Sequence, residues 1–199
     1  MNNKQTLANV AVIQSGLSAV NHREMAEPKT GFLEVACING NNLLENGLVQ
    51  FNEHDLKKVY VEQSRLDGHI LKQYDILLMA RGSNFRAALF KEDEVDIPCI
   101  ASPNIFVIRC KDVVLPEVLV SFINSIHGQA LMDEISIGST VRGLSIASLK
   151  NLEIFVPDIE RQKLIVSIFY ANIEALTLLD KLKEQQRITV EASLQQLMA

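Results

Sequence analysis

Apolar positions along the first 110 residues fall into short runs separated by polar clusters. Leu7-Ala8-Asn9-Val10-Ala11-Val12-Ile13 reads as a short helix or strand that ends by Gly16. Residues 21–30 form a polar loop. Phe32–Ile38 predicts a strand, stopped by Asn39-Gly40-Asn41-Asn42, residues that tolerate turn backbone. Lys57–Val61 predicts a further strand, and Leu71–Ala80 a longer one. The latter turns at Arg81–Arg86 and returns through Ala87–Phe90, a hairpin with a cationic, polar tip. Pro98–Ser102 and Asn104–Arg109 complete the strand-like pieces. From Pro116 the period becomes helical: Pro suits the first turn, and Val118, Leu119, Phe122, Ile123, Ile126, Ala130 and Leu131 follow at helical spacing. Gly138–Gly143 is a loop, Ser145 caps a short helix to Asn151, and Leu152–Val156 is a strand.

From Pro157 to Ala199 there is one long helical pattern without internal Gly or Pro. Asp158 is its N-cap and Glu160 lies in its first turn, where the helix dipole favours acid. At 1.5 Å per residue the segment is roughly 60 Å long, more than a domain of this size covers. One apolar seam follows a partial heptad through Ile165, Phe169, Leu176, Leu179, Val190 and Leu197, interrupted by Asn172, Lys183, Gln186 and Ser193. An exposed stripe of that length calls for a partner outside the domain. The alternative is a helix broken near Gln185 and folded back. The fold class expected is therefore α+β: a β-rich domain over 1–157, then a long C-terminal α-helix over 158–199.

Composition narrows the function. Of 199 residues 48% are hydrophobic and 22% charged, so a packed core is expected. No continuous apolar run reaches the ~20 residues of a membrane span, and Met1–Gly16 lacks the pattern of a signal peptide. Three widely spaced cysteines (Cys37, Cys99, Cys110) suit a reducing cytoplasm. The net charge of −5 argues against bulk attraction to a polyanion but leaves room for a local basic patch. His22, His54, His69 and His127 are scattered, and no phosphate-cradling glycine loop is present, so no metal, cofactor or catalytic set is expected. Asp75 and Glu92-Asp93-Glu94 are set aside as nuclease carboxylates: the first sits at a strand entry, the second reads as a solvated face.

Three stretches resemble a known family. Leu144–Pro157 followed by Asp158-Ile159-Glu160-Arg161-Gln162-Lys163-Leu164-Ile165 looks like the close of a target recognition domain and the start of the long helix in specificity (S) subunits of type I restriction-modification enzymes. Gln162 keeps that family's glutamine. Tyr74–Ser83 is similar to its "GDIL…RxG" strand and turn, and Gly138-Ser139-Thr140 stands where expected. The resemblance implies a target recognition domain, a helix that pairs as an antiparallel coiled coil and acts as spacer, and no catalysis. Its implied partners are double-stranded DNA, methyltransferase (M) subunits and, in complete systems, restriction (R) subunits. With one domain and one helix, the chain looks like a half subunit that homodimerises. The alternative is a non-catalytic decoy that competes for the methyltransferase.

Sequence reading in DNA requires polar side chains that reach base edges and cations on phosphates. The hairpin tip supplies Arg81, Ser83, Asn84 and Arg86, against the plainer reading that Arg81 and Gly82 shape the turn. Asn39, Asn41 and Asn42 are a second group, against turn formation alone. Ser139, Thr140 and Arg142 are a third, with a phosphate or structural role. Lys57 and Lys58 are candidate phosphate contacts, or an ordinary solvated pair.

Overall fold

The computed structural model describes residues 3–17, 30–51, 57–92, 96–138 and 142–198. Among these residues nine strands form three sheets. Strand β1 (Asn3–Thr6) pairs antiparallel with β9 (Glu153–Val156). Strands β2 (Ala11–Ser15), β8 (Ile105–Cys110), β5 (Ile76–Met79) and β6 (Ala87–Leu89) form an antiparallel sheet in that spatial order. Strands β4 (Lys57–Glu62), β3 (Phe32–Ile38) and β7 (Cys99–Ala101) form the third, with β3 and β7 parallel. The helices are α1 (Leu7–Val10), α2 (Pro116–Asn124), α3 (Ile126–Ile135), α4 (Ile146–Asn151) and α5 (Ile159–Met198).

The central strands read as unbroken apolar runs because both their faces are covered. In β5, Ile76 and Leu78 enter the core shared with the helices, alongside Leu119, Ile123, Met132 and Leu149, while Leu77 enters the core between the two larger sheets. Strand β8 divides the same way: Phe106 and Ile108 face the helices, Ile105 and Val107 the other sheet. Strand β3 sends Ala36 and Ile38 inward and Val35 and Cys37 into a third cluster with Val59, Val61 and Ile100.

Three expected elements are corrected. Residues 7–13 are neither helix nor strand alone but one helical turn, α1, leading into β2. The strand expected over Leu71–Ala80 begins only at Ile76, because Tyr74 adopts a φ of 67° and the chain turns there. Asp75 holds that turn: its carboxylate accepts from Lys72 N at 2.9 Å, and its N–H donates to Lys72 O at 3.0 Å. The single helix expected after Pro116 is two, split at Ser125, whose backbone is extended and whose hydroxyl caps α3 by accepting from Gly128 N at 3.0 Å. Strand β1 was not foreseen; its polar side chains lack a strand pattern, and its partner lies about 150 residues away in sequence.

Helix α5 is uninterrupted over 40 residues, so the broken, folded-back alternative is excluded. Asp158 caps it as expected, accepting from Arg161 N at 3.1 Å. Its first four turns sit on the domain. Phe169 is buried; a Cβ on Gly47 would lie 3.0 Å from its ring and 3.2 Å from Val120. The Tyr170 hydroxyl donates to the buried Glu117 of α2 at 2.9 Å. Gln162 is 3% exposed and uses its whole amide: its oxygen accepts from Leu115 N at 2.8 Å, and its nitrogen donates to Val113 O at 3.1 Å and Pro157 O at 3.0 Å. Gln162→Ala strands these three backbone groups and is expected to cost about 2–3 kcal/mol. A urea midpoint within error of wild type would contradict this anchoring role. Gln162→Glu should be no better, because a carboxylate cannot donate to the two carbonyls.

Candidate nucleic-acid interface

Loops far apart in sequence meet at one end of the domain. The hairpin between β5 and β6 carries Arg81, Ser83 and Asn84, all exposed. Gly82, with a φ of 139°, makes its bend. Arg81 forms a backbone bridge with Gly143, and Gly82 N donates to Arg142 O at 3.1 Å, so the tip leans on the 142–144 segment. On the other side, the Met79 methyl lies between the 39–42 turn and the tip: it is 3.3 Å from a Cβ built on Gly40 and 3.7 Å from one on Gly82. The first residues of β4 are adjacent too. Lys57 pairs with Cys37 and Lys58 with Ala36, at the end of β3 that runs into Asn39. Three of the four candidate groups, and Arg142 of the remaining one, therefore share one surface region.

Within it, exposure separates reaching side chains from holding ones. Arg81, Ser83, Asn84, Asn41, Lys57 and Lys58 are exposed. Among the described residues the Arg81 guanidinium has no hydrogen-bond or ion-pair partner. Asn39 is half-buried, and its side-chain oxygen accepts from Asn41 N at 2.9 Å. Asn42 is 3% exposed; its oxygen accepts from Asn39 N at 2.9 Å and its nitrogen donates to Gln50 O at 3.3 Å. It is a turn residue whose amide is buried in the turn and not presented to a base, which corrects its place among the readers. Arg86 is corrected likewise. It is half-buried, donates to Leu43 O at 2.8 Å and pairs with Glu45 at 3.1 Å, bracing the hairpin against the segment after the Asn turn. Arg142 ties the tip from the other side: it pairs with Asp133 at 2.6 Å and donates to Ser83 O at 3.1 Å. Ser139 and Thr140 lie outside the described residues, as do His22, His54, Asp93, Glu94 and most of the 21–30 loop.

Two supporting residues escaped the sequence reading. Strand β6 is an edge strand: the 47–49 backbone pairs with Leu89, and side-chain amides complete the hydrogen bonding of Phe85 and Ala87. Asn124 accepts from Ala87 N at 2.9 Å and donates to Ala87 O at 2.8 Å; Gln129 accepts from Phe85 N at 3.2 Å and donates to Phe85 O at 3.0 Å. Their positions on α2 and α3 carry no motif, so only the fold shows that they hold the hairpin. Asp75, set aside as a nuclease carboxylate, is 1% exposed and doubly paired with Arg109 at 2.7 and 2.6 Å. No group of three or more His, Cys, Asp or Glu able to hold a metal occurs among the described residues.

The second candidate surface is α5. Of its expected seam, Ile165 and Phe169 belong to the domain's own core, and this corrects their assignment to a partner contact. Beyond Ile173 every described residue of the helix is exposed. Leu176, Leu179, Leu182, Val190, Leu194 and Leu197 form an apolar stripe there, from 37% to 85% exposed. Eighteen residues of α5 reach a mean hydropathy of 1.2, so by length and composition alone the helix is long and apolar enough to cross a bilayer. Its exposed portion, however, carries Glu174, Asp180, Lys181, Lys183, Glu184, Arg187 and Glu191, each costly in hydrocarbon.

The profile of the type I restriction modification DNA specificity domain matches residues 7–190. No curated protein matches the chain in sequence. Among solved structures, the HsdS subunit from Thermoanaerobacter tengcongensis aligns over 90% of this chain at 14% identity with a TM-score of 0.57. The type I restriction-modification S subunit from M. genitalium aligns over 93% at 16% identity and 0.54. A chain from a study of complex assembly and conformational transition of the type I R-M system aligns over 93% at 13% identity and 0.60. The alignments cover 39%, 43% and 41% of those chains respectively, so this chain spans about two fifths of their length.

Proposed function

The chain belongs to the type I restriction-modification DNA specificity family, and from that premise we propose that it is a non-catalytic recognition subunit, with residues 1–157 reading DNA and residues 158–199 serving as the pairing and spacing helix. The observation that carries this reading is the convergence of the 81–86 hairpin, the 39–42 turn and the start of β4 on one polar, cation-bearing surface. Arg81 is the base reader of first choice, since an unpaired guanidinium can bind guanine bidentately; Asn84, Ser83 and Asn41 are neighbouring readers, and Asn39 holds their turn. Lys57 and Lys58 contact phosphate. Asn42, Arg86 and Arg142 hold the loops that present them.

The exposed stripe of α5 pairs with the same stripe of a second copy, an isologous contact that sets two recognition domains on one two-fold axis. Methyltransferase subunits dock on this assembly in the cytoplasm and perform methyl transfer; restriction subunits join where the system has them. A methyltransferase that supplies much of the grip on DNA accounts for a net charge of −5 in a DNA reader.

The test is the genomic methylation pattern when this chain is co-expressed with its methyltransferase. A new bipartite motif with inverted-repeat halves supports the reading. A complex that forms but leaves no new methylation would overturn it in favour of a decoy. Arg81→Ala should leave the thermal melt unchanged and relax one base pair in each half-site, by about 1–3 kcal/mol. An unaltered motif removes Arg81 as a reader.

A further inference from the structure

Resting on the pairing just proposed, we infer that two copies of α5 lie antiparallel in a single register, with the two-fold axis between Glu184 and Gln185, set by reciprocal ion pairs from Asp180 of each copy to Arg187 of the other. The argument starts from core positions spaced alternately by three and four: Leu176, Leu179, Lys183, Gln186, Val190, Ser193 and Leu197. All are exposed, on a helix without a break. The polar residues Lys183 and Gln186 fall in the middle of the seam, where their pairing decides orientation.

A parallel pair places identical residues opposite each other. Lys183 would then face Lys183 inside the seam, two like charges at one level of the core. No flanking position would meet an opposite charge either, since Asp180 would stand beside Ala175 and Arg187 beside Leu182. An antiparallel pair centred between Glu184 and Gln185 resolves both problems. Lys183 meets Gln186 twice, so these two polar positions face one another, while Leu179 meets Val190 twice and Leu176 meets Ser193 twice. In the flanking positions Asp180 meets Arg187 twice and Ile173 meets Leu194 twice.

Sliding by one heptad in either direction is penalised. With the axis at Lys181, Asp180 faces Asp180 and Leu179 faces Lys183. With the axis at Ile188, Arg187 faces Arg187 and Gln186 faces Val190. The same two charges thus favour one register and oppose its neighbours, which is how flanking charges choose partners and orientation. In the single chain Arg187 already pairs with Glu184 at 2.7 Å and Glu191 at 3.3 Å on its own helix. Its five donors leave room for a third carboxylate beside those two.

The decisive experiment uses the full chain in two variants, Asp180→Arg and Arg187→Asp, with dimerisation read by sedimentation velocity and by native mass spectrometry of mixtures. Both positions are exposed, so circular dichroism should show wild-type folding. Each variant alone turns both ion pairs repulsive, and its homodimer should dissociate roughly tenfold more readily than wild type. Mixed together, the two should form a heterodimer of near wild-type stability, because both contacts become attractive again. A dimeric wild type whose variants show no such preference overturns this register and leaves pairing through α5 standing. A wild type that stays monomeric across the whole concentration range overturns the pairing itself.

Discussion

Arg109→Met should be the most damaging single substitution in the recognition domain, with a loss of about 3–5 kcal/mol. The substitution removes both hydrogen bonds to Asp75, whose side chain is 1% exposed. The carboxylate is left unpaired in the core beside Lys72 N–H alone. On a scale of roughly 2–4 °C per kcal/mol for a domain this size, the melting temperature should fall by about 10 °C. Asp75→Ala should cost less, because the Arg109 side chain is 34% exposed and can turn its charge to water. Removing both, as Asp75→Ala with Arg109→Met, should cost less than the sum of the singles, since neither variant then leaves a buried charge. If the two single losses simply add, the ion pair is not the coupling it looks to be. The consequence reaches the proposed DNA-reading surface: Asp75 ends the turn that launches β5, and β5 carries Met79 and the hairpin tip.

Much of this was legible beforehand because the informative patterns are local. Phe32–Ile38 is a strand with the bounds expected, and the Asn39–Asn42 turn, the Ser145 cap and the Asp158 cap each follow from residues within a few positions of one another. What stayed hidden depends on contacts distant in sequence. Strand β1 exists because β9 is beside it. The break at Ser125 sits inside a continuous helical pattern. The demotion of Asn42 and Arg86 from readers to supports rests on Gln50, Leu43 and Glu45, whose positions opposite them only the fold determines. Phe169 shows the same limit on α5. By spacing it belongs to the seam, yet it lies in the part of the helix that the domain itself covers. A periodic stripe shows that a face is apolar; it does not show whether the chain's own core or a second molecule covers it.

Leu179→Asp is expected to abolish dimerisation and, with it, methylation of any two-part site. Leu179 is 60% exposed in the single chain and touches no part of the domain core, so the variant should fold as wild type does. It is a cleaner probe than Leu176, which is 37% exposed and closer to the domain. In the dimer the substitution acts twice, placing a carboxylate against Val190 of each copy where burial without a partner is costly. The geometry adds a quantitative expectation. With the axis between Glu184 and Gln185, the two Ile173 positions, where each helix leaves its domain, stand about 34 Å apart at 1.5 Å rise per residue. A single register therefore holds the two recognition domains at one fixed separation, and the two half-sites at one fixed spacing. Methylation sequencing measures that spacing directly. A spacing that varies from site to site would contradict a single register. A Leu179→Asp chain that still directs bipartite methylation would show that something other than α5 brings the two domains together.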